Sequence, residues 1–71
     1  MFNKVKISKD YLTSERAGAG GTYQINSITA IDENENEVDL TEKADQGKHY
    51  HSDSEVLADL GLPTSIAVEE V

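Results

Sequence analysis

The sequence predicts a small α+β domain, a mainly antiparallel sheet of about four strands with one short helix packed on it. Three observations carry that expectation. Apolar and polar residues alternate at period two in several short stretches, which is the pattern of half-buried strands. One later segment carries both a helix start and a helix stop. At 71 residues and 7.8 kDa the chain supports a single core, so residues 1–71 form one domain. A small β-barrel is the alternative closure of the same strands.

The elements follow in order. Lys4, Val5, Lys6, Ile7 and Ser8 alternate, so a first strand presents valine and isoleucine to one side and lysines to the other. Tyr11 and Leu12 extend this strand or begin the turn after it. Residues 13–21 include Gly18, Gly20 and Gly21 and read as a loop, with Arg16 near its base, that orders on meeting a partner. From Thr22 to Ile31, β-branched and aromatic residues return, but Tyr23 and Ile25 fall on one parity and Ile28 and Ala30 on the other. An extra residue near Asn26 and Ser27, a β-bulge, accounts for the slip, as does a strand buried on both faces. The polar run Asp32 to Glu37 makes a turn, and Val38 and Leu40 resume the alternation, which completes a hairpin. Ser52 and Glu55 have capping-box spacing ahead of Val56, Leu57 and Leu60, while Gly61 and Pro63 end the helix. Thr64 to Val71 reads as a final strand that pairs with the first or last hairpin.

Composition removes several classes of function. Fourteen carboxylates against six Lys and Arg give a net charge of -8, which opposes direct contact with a phosphate backbone. Without cysteine the chain has no disulfide, no thiolate metal site and no cysteine nucleophile. No apolar run approaches bilayer-spanning length, and the charged residues near Met1 differ from a secretory leader, so the expected setting is cytoplasmic and away from membranes. The charge is also lopsided. Residues 1–31 carry four basic and two acidic side chains, or +2; residues 32–71 carry two lysines and twelve carboxylates, or -10.

Asp32, Glu33, Glu35, Glu37, Asp39, Glu42 and Asp45 are the candidate partner-binding residues. Glu33, Glu35, Glu37 and Asp39 in an extended chain would form a row at a spacing of about 7 Å. Such a row attracts a basic groove on another protein and speeds its encounter. The bland explanation is that acidic surfaces keep small proteins soluble.

Other constellations are weaker. Asp32, Asn34 and Asn36 copy the first three oxygen positions of a calcium loop, but Glu37 stands where that loop needs glycine and Lys43 where it needs glutamate. His49 and His51, two apart, would project to one face of an extended segment, with Asp45 and Asp53 nearby as further zinc-ligand types. The glycines of residues 18–21 lack the Gly-Lys-Ser/Thr ending of a phosphate loop and precede a strand, not a helix. No nucleophile, base and orienting acid stand at a recognisable spacing, so a non-enzymatic protein without cofactor or metal is expected. Tyr11, Tyr23 and Tyr50 read as core packing with hydroxyls at its rim.

In size and charge alone the chain resembles small acidic inhibitors from phages and mobile elements, including anti-CRISPR and anti-restriction proteins. That resemblance implies a binding module that offers an acidic surface to the basic, nucleic-acid-binding surface of a partner protein and inhibits it. Two other readings stand beside it. One is a structural protein that self-associates, as a homodimer or larger assembly, through strand edges such as Ile66 to Val71. The other is a metal-responsive domain using His49 and His51.

Overall fold

The computed structural model describes residues 2–71 and has an open four-stranded sheet with order β3-β2-β1-β4. The strands are β1 (Phe2–Asp10), β2 (Gln24–Asp32), β3 (Glu37–Asp39) and β4 (Ala67–Glu70). Two helices accompany them, α1 (Tyr11–Arg16) and α2 (Asp53–Asp59), with a 3-10 turn at Thr41–Lys43. The expected small α+β fold is the one observed, and the sheet is not closed into the alternative barrel. β1–β2 and β2–β3 are antiparallel, whereas β4 lies parallel to β1. No helix among the described residues is long and apolar enough to cross a membrane.

The register accounts for the slip in hydrophobic phase. Ser8 pairs with Ser27, but Lys9 pairs with Ile25, so Asn26 is an extra residue in β2. This bulge lets Ile25 and Ile28 both enter the core while Asn26 and Ser27 face solvent. Val5 opposite Ala30 and Ile7 opposite Ile28 complete the buried sheet face.

Helix α2 covers that face with Val56 and Leu57. Their burial contributes about 1.5–3 kcal/mol each. Ser52 caps the helix by accepting the Glu55 N–H at 3.4 Å, as the capping-box spacing predicts. The reciprocal bond is displaced by one residue, because the Glu55 carboxylate accepts from the His51 N–H at 3.2 Å. At the other end Gly61, at φ 72°, donates to Ala58 O while Leu62 donates to Leu57 O, the paired closure of a Schellman motif.

Helix α1 corrects the expectation that Tyr11 and Leu12 prolong the strand and that residues 13–21 are loop throughout. Asp10 is its N-cap: Oδ1 accepts the Thr13 N–H at 3.0 Å and Oδ2 accepts the Thr13 hydroxyl at 2.6 Å. Gly18, at φ 81°, donates to Glu15 O and Ala19 donates to Ser14 O, so α1 ends in the same way as α2. Residues beyond Gly18 form a closed turn in which the Thr22 N–H bonds Ala19 O at 3.2 Å. Leu12 is exposed and Ser14 is buried, so hydrophobic periodicity gave no sign of this helix.

Candidate acidic edge

The hairpin turn is built by Asp32. Its Oδ1 accepts the N–H groups of Asn34 at 2.8 Å and Asn36 at 2.9 Å, and Oδ2 accepts the Asn36 side-chain amide at 3.2 Å. These bonds stabilise the ionised carboxyl, and the Asn36 N–H leads in holding its pKa below the ordinary aspartate value. The calcium-like spacing of Asp32, Asn34 and Asn36 thus belongs to a turn in which Asn34 and Asn36 present donors to Asp32. Glu35 sits at φ 65°, the left-handed conformation that the tight turn requires.

Pairing of β3 with β2 assigns the side chains to faces. Glu37 stands opposite Ile31 and Asp39 opposite Thr29, while Val38 stands opposite buried Ala30. Continuing across the sheet, Ile31 pairs with Lys4 and Thr29 with Lys6. Glu37 and Asp39 therefore share the uncovered sheet face with two lysines, on the side opposite α2. Glu33, Glu35 and Glu37 border an open groove of about 480 Å³ whose other wall includes Lys4 and Lys6.

This arrangement corrects the expected row. Only Glu37 and Asp39 lie along the strand; Glu33 and Glu35 are in the turn. Asp39 is partly committed to structure, since its Oδ1 accepts the Thr41 hydroxyl at 2.6 Å and the Thr41 N–H at 2.9 Å. Those bonds, the hydroxyl first, hold its pKa below the usual aspartate value. Thr41 in turn accepts the Ile28 N–H at 3.0 Å, which fastens the end of β3 to β2. Glu42 follows, exposed, in the 3-10 turn. Asp45 has different neighbours: its Oδ1 accepts the Gly47 N–H at 3.2 Å, and its own N–H points to the Tyr50 hydroxyl at 3.4 Å. Five of the seven candidates, Asp32, Glu33, Glu35, Glu37 and Asp39, thus cluster on the hairpin, with Glu42 adjoining it. None of these six makes an ion pair among the described residues.

Four carboxylates of β4 and α2 are used differently. Glu69 meets Lys4 at 3.3 Å and Glu70 meets Lys9 at 3.7 Å, so the glutamates of β4 are paired with β1. Asp53 and Asp59, at the two ends of α2, anchor two similar triads that sequence reading missed. Lys9 Nζ lies 2.9 Å from Asp53 and 4.7 Å from the Tyr23 ring centroid, and the Tyr23 hydroxyl donates to Asp53 at 2.6 Å. Lys48 Nζ lies 3.0 Å from Asp59 and 4.9 Å from the Tyr50 centroid, and the Tyr50 hydroxyl donates to Asp59 at 2.8 Å. Burial alone would raise the Asp53 pKa, but the bonds from Tyr23 and Lys9 outweigh it and hold the carboxyl low. Burial, then the bond to Asp53, pushes the Tyr23 phenol far above its ordinary range. Tyr23 and Tyr50 behave as expected, rings in the core and hydroxyls at its rim, whereas Tyr11 does not: it is exposed at the start of α1, with its ring 5.4 Å from that of Tyr23.

His49 and His51 do not converge. His49 Nδ1 is 2.7 Å from Ser14 Oγ, whereas His51 Nδ1 is 3.3 Å from Glu55. Ser14 is completely enclosed, so its oxygen is closed to a substrate and the pair serves to tie α1 to the segment before α2. Among the described residues no group of three or more His, Asp or Glu is placed to hold a metal ion, and every buried side-chain polar atom has a partner. Comparison with protein-family models, curated proteins and solved structures finds no match to this chain.

Proposed function

We propose that the protein is a non-enzymatic binding module that engages a basic surface of another protein through its β2–β3 hairpin, and inhibits that partner by occupying the place of nucleic acid. The single observation supporting this most is the contrast in how carboxylates are used. Glu69, Glu70, Asp53 and Asp59 lie in ion pairs with Lys4, Lys9 and Lys48, while Glu33, Glu35, Glu37 and Glu42 stand exposed without an ion pair among the described residues. Uncompensated like charges in one place cost self-repulsion and gain energy only when an opposite charge arrives. The overall charge of -8 acts in the same direction at long range.

The test is capture from a lysate with wild type and with a variant carrying Glu33→Gln, Glu35→Gln, Glu37→Gln and Glu42→Gln. Asp32 and Asp39 are left intact because they fold the turn. A nucleic-acid-binding protein retained by wild type, released by added duplex DNA and lost with the variant supports the proposal. Equal capture by both proteins, or capture indifferent to DNA, contradicts it. Self-association through β4 is the competing reading, since β4 is the other edge of the sheet. Light scattering distinguishes them, because a monomer at every concentration removes assembly.

A further inference from the structure

The β3 edge offers main-chain groups as well as charge. The Asn36 carbonyl accepts the Asp32 N–H at 3.0 Å, and the Leu40 N–H donates to Ile28 O at 2.9 Å. Main-chain groups alternate sides along a strand, so Asn36, Val38 and Leu40 turn theirs toward β2. Glu37 and Asp39 turn theirs away, and β3 has no neighbour on that side. The outward edge therefore carries two N–H and two C=O groups, with the Glu37 and Asp39 side chains on one face and Val38, 42% exposed, on the other.

We infer that β3 receives an extended partner segment of alternating basic and apolar residues as a fifth strand of the sheet. This rests on the acidic-edge reading above and specifies its geometry. An added strand places alternate side chains beside Glu37 and Asp39, where Lys or Arg is favoured and like charge is disfavoured. The residue between them falls on the core-side face beside Val38, where an apolar side chain covers exposed surface. A second copy of this chain does not fit, because antiparallel pairing of two β3 edges sets Glu37 and Asp39 against carboxylates. The β4 edge differs, since its Glu69 and Glu70 already pair with Lys4 and Lys9.

The experiment uses the full chain, labelled for amide NMR, and two probes of equal charge: Lys-Val-Lys-Val-Lys-Val-Lys and the block peptide Lys-Lys-Lys-Lys-Val-Val-Val. The alternating peptide is expected to slow hydrogen exchange at the Glu37 and Asp39 amides and to bind several-fold more tightly than the block peptide. Glu37→Pro removes one outward N–H and leaves the bonds to β2 in place, a substitution that edge strands accept. It is expected to weaken the alternating peptide by about tenfold, against two- to threefold for Glu37→Gln, which removes the charge and keeps the N–H. Amide dispersion of the Glu37→Pro protein reports whether it is folded, and exchange protection in the wild type decides the matter if it is not. Equal binding of both peptides, sensitive to Glu33→Gln and Glu42→Gln but without protection of Glu37 and Asp39, overturns strand addition and leaves the acidic surface standing. Absence of binding by either peptide overturns both.

Discussion

The Tyr23 hydroxyl donates a 2.6 Å hydrogen bond to Asp53, joining the entry to β2 with the first turn of α2. Lys9, its side chain largely enclosed, completes the group from the end of β1. A charge-assisted bond of this kind is worth about 1.5–3 kcal/mol. Tyr23→Phe is therefore expected to lower unfolding free energy by about that amount in urea denaturation at neutral pH. Asp53→Ala is expected to cost more, because it removes the acceptor of the phenol and the nearer of the two carboxylates that face Lys9. Wild-type stability in Tyr23→Phe would show that water replaces the bond without loss.

The pH profile follows from several carboxyls together. The pKa values of Asp10, Asp32, Asp39 and Asp59 are held low chiefly by hydrogen bonds from Thr13, Asn36, Thr41 and Lys48, and that of Asp53 by Tyr23 and Lys9 against the opposing effect of burial. A lowered folded pKa means that the unfolded chain binds protons first. The stabilisation is present above the ordinary aspartate range near about 4 and is lost as pH falls through the lower folded values. At the alkaline end the direction reverses. Lys9 is raised because the Asp53 bond and charge outweigh burial, and Tyr23 is raised by burial and the same bond. Both contribute stability below about 10 that is lost above it. Thermal melts across pH should show a plateau falling at both ends, with the acid fall shallower in Asp53→Asn.

Glycine substitution separates backbone need from space. Gly18 and Gly61 hold φ of 81° and 72°, and a Cβ at either meets no atom within 4 Å. Alanine there is strained by conformation alone, at about 1 kcal/mol each. Gly20, equally open and outside the left-handed region, is the control and should tolerate alanine without loss. Equal melting temperatures for all three variants would contradict the two helix closures.

The hairpin carboxylates should divide into structural and free. Asp32→Ala removes an acceptor of two main-chain N–H groups and one side-chain amide and is expected to lower the denaturation midpoint measurably. Glu33→Gln, with no such contacts, should leave denaturation unchanged within about 0.5 kcal/mol. Similar losses in both variants would mean that the turn is held by something other than Asp32.

Much of the fold was legible in local chemistry. The Ser52 cap, the Gly61 closure and the phase slip at Asn26 each follow from a residue whose conformational or packing preference acts within a few neighbours. Helix α1 escaped because its inward residue is Ser14 and its Leu12 faces solvent, so no apolar stripe marked it. Its signals were Asp10 three residues ahead of Thr13, and Gly18 as terminator. The acidic hairpin was visible as charge, but its division was not. The bonds of Asp32 to Asn34 and Asn36, of Asp39 to Thr41 and of Asp45 toward Tyr50 are local but polar, so no hydrophobic pattern marks them, whereas the face that Lys4 and Lys6 share with Glu37 and Asp39 depends on pairing between strands distant in sequence. The Lys9 and Lys48 triads were hidden for the same reason.

The central claim is that the free carboxylates of the hairpin bind a basic protein surface. Its most direct measurement is the dissociation constant of the captured partner across ionic strength, for wild type and for the variant with Gln at positions 33, 35, 37 and 42. Wild-type affinity should fall steeply with salt, while the variant should bind at least about tenfold more weakly at low salt with a flattened dependence. Identical affinities and identical salt slopes would contradict the account and leave the acidic hairpin a solubilising surface.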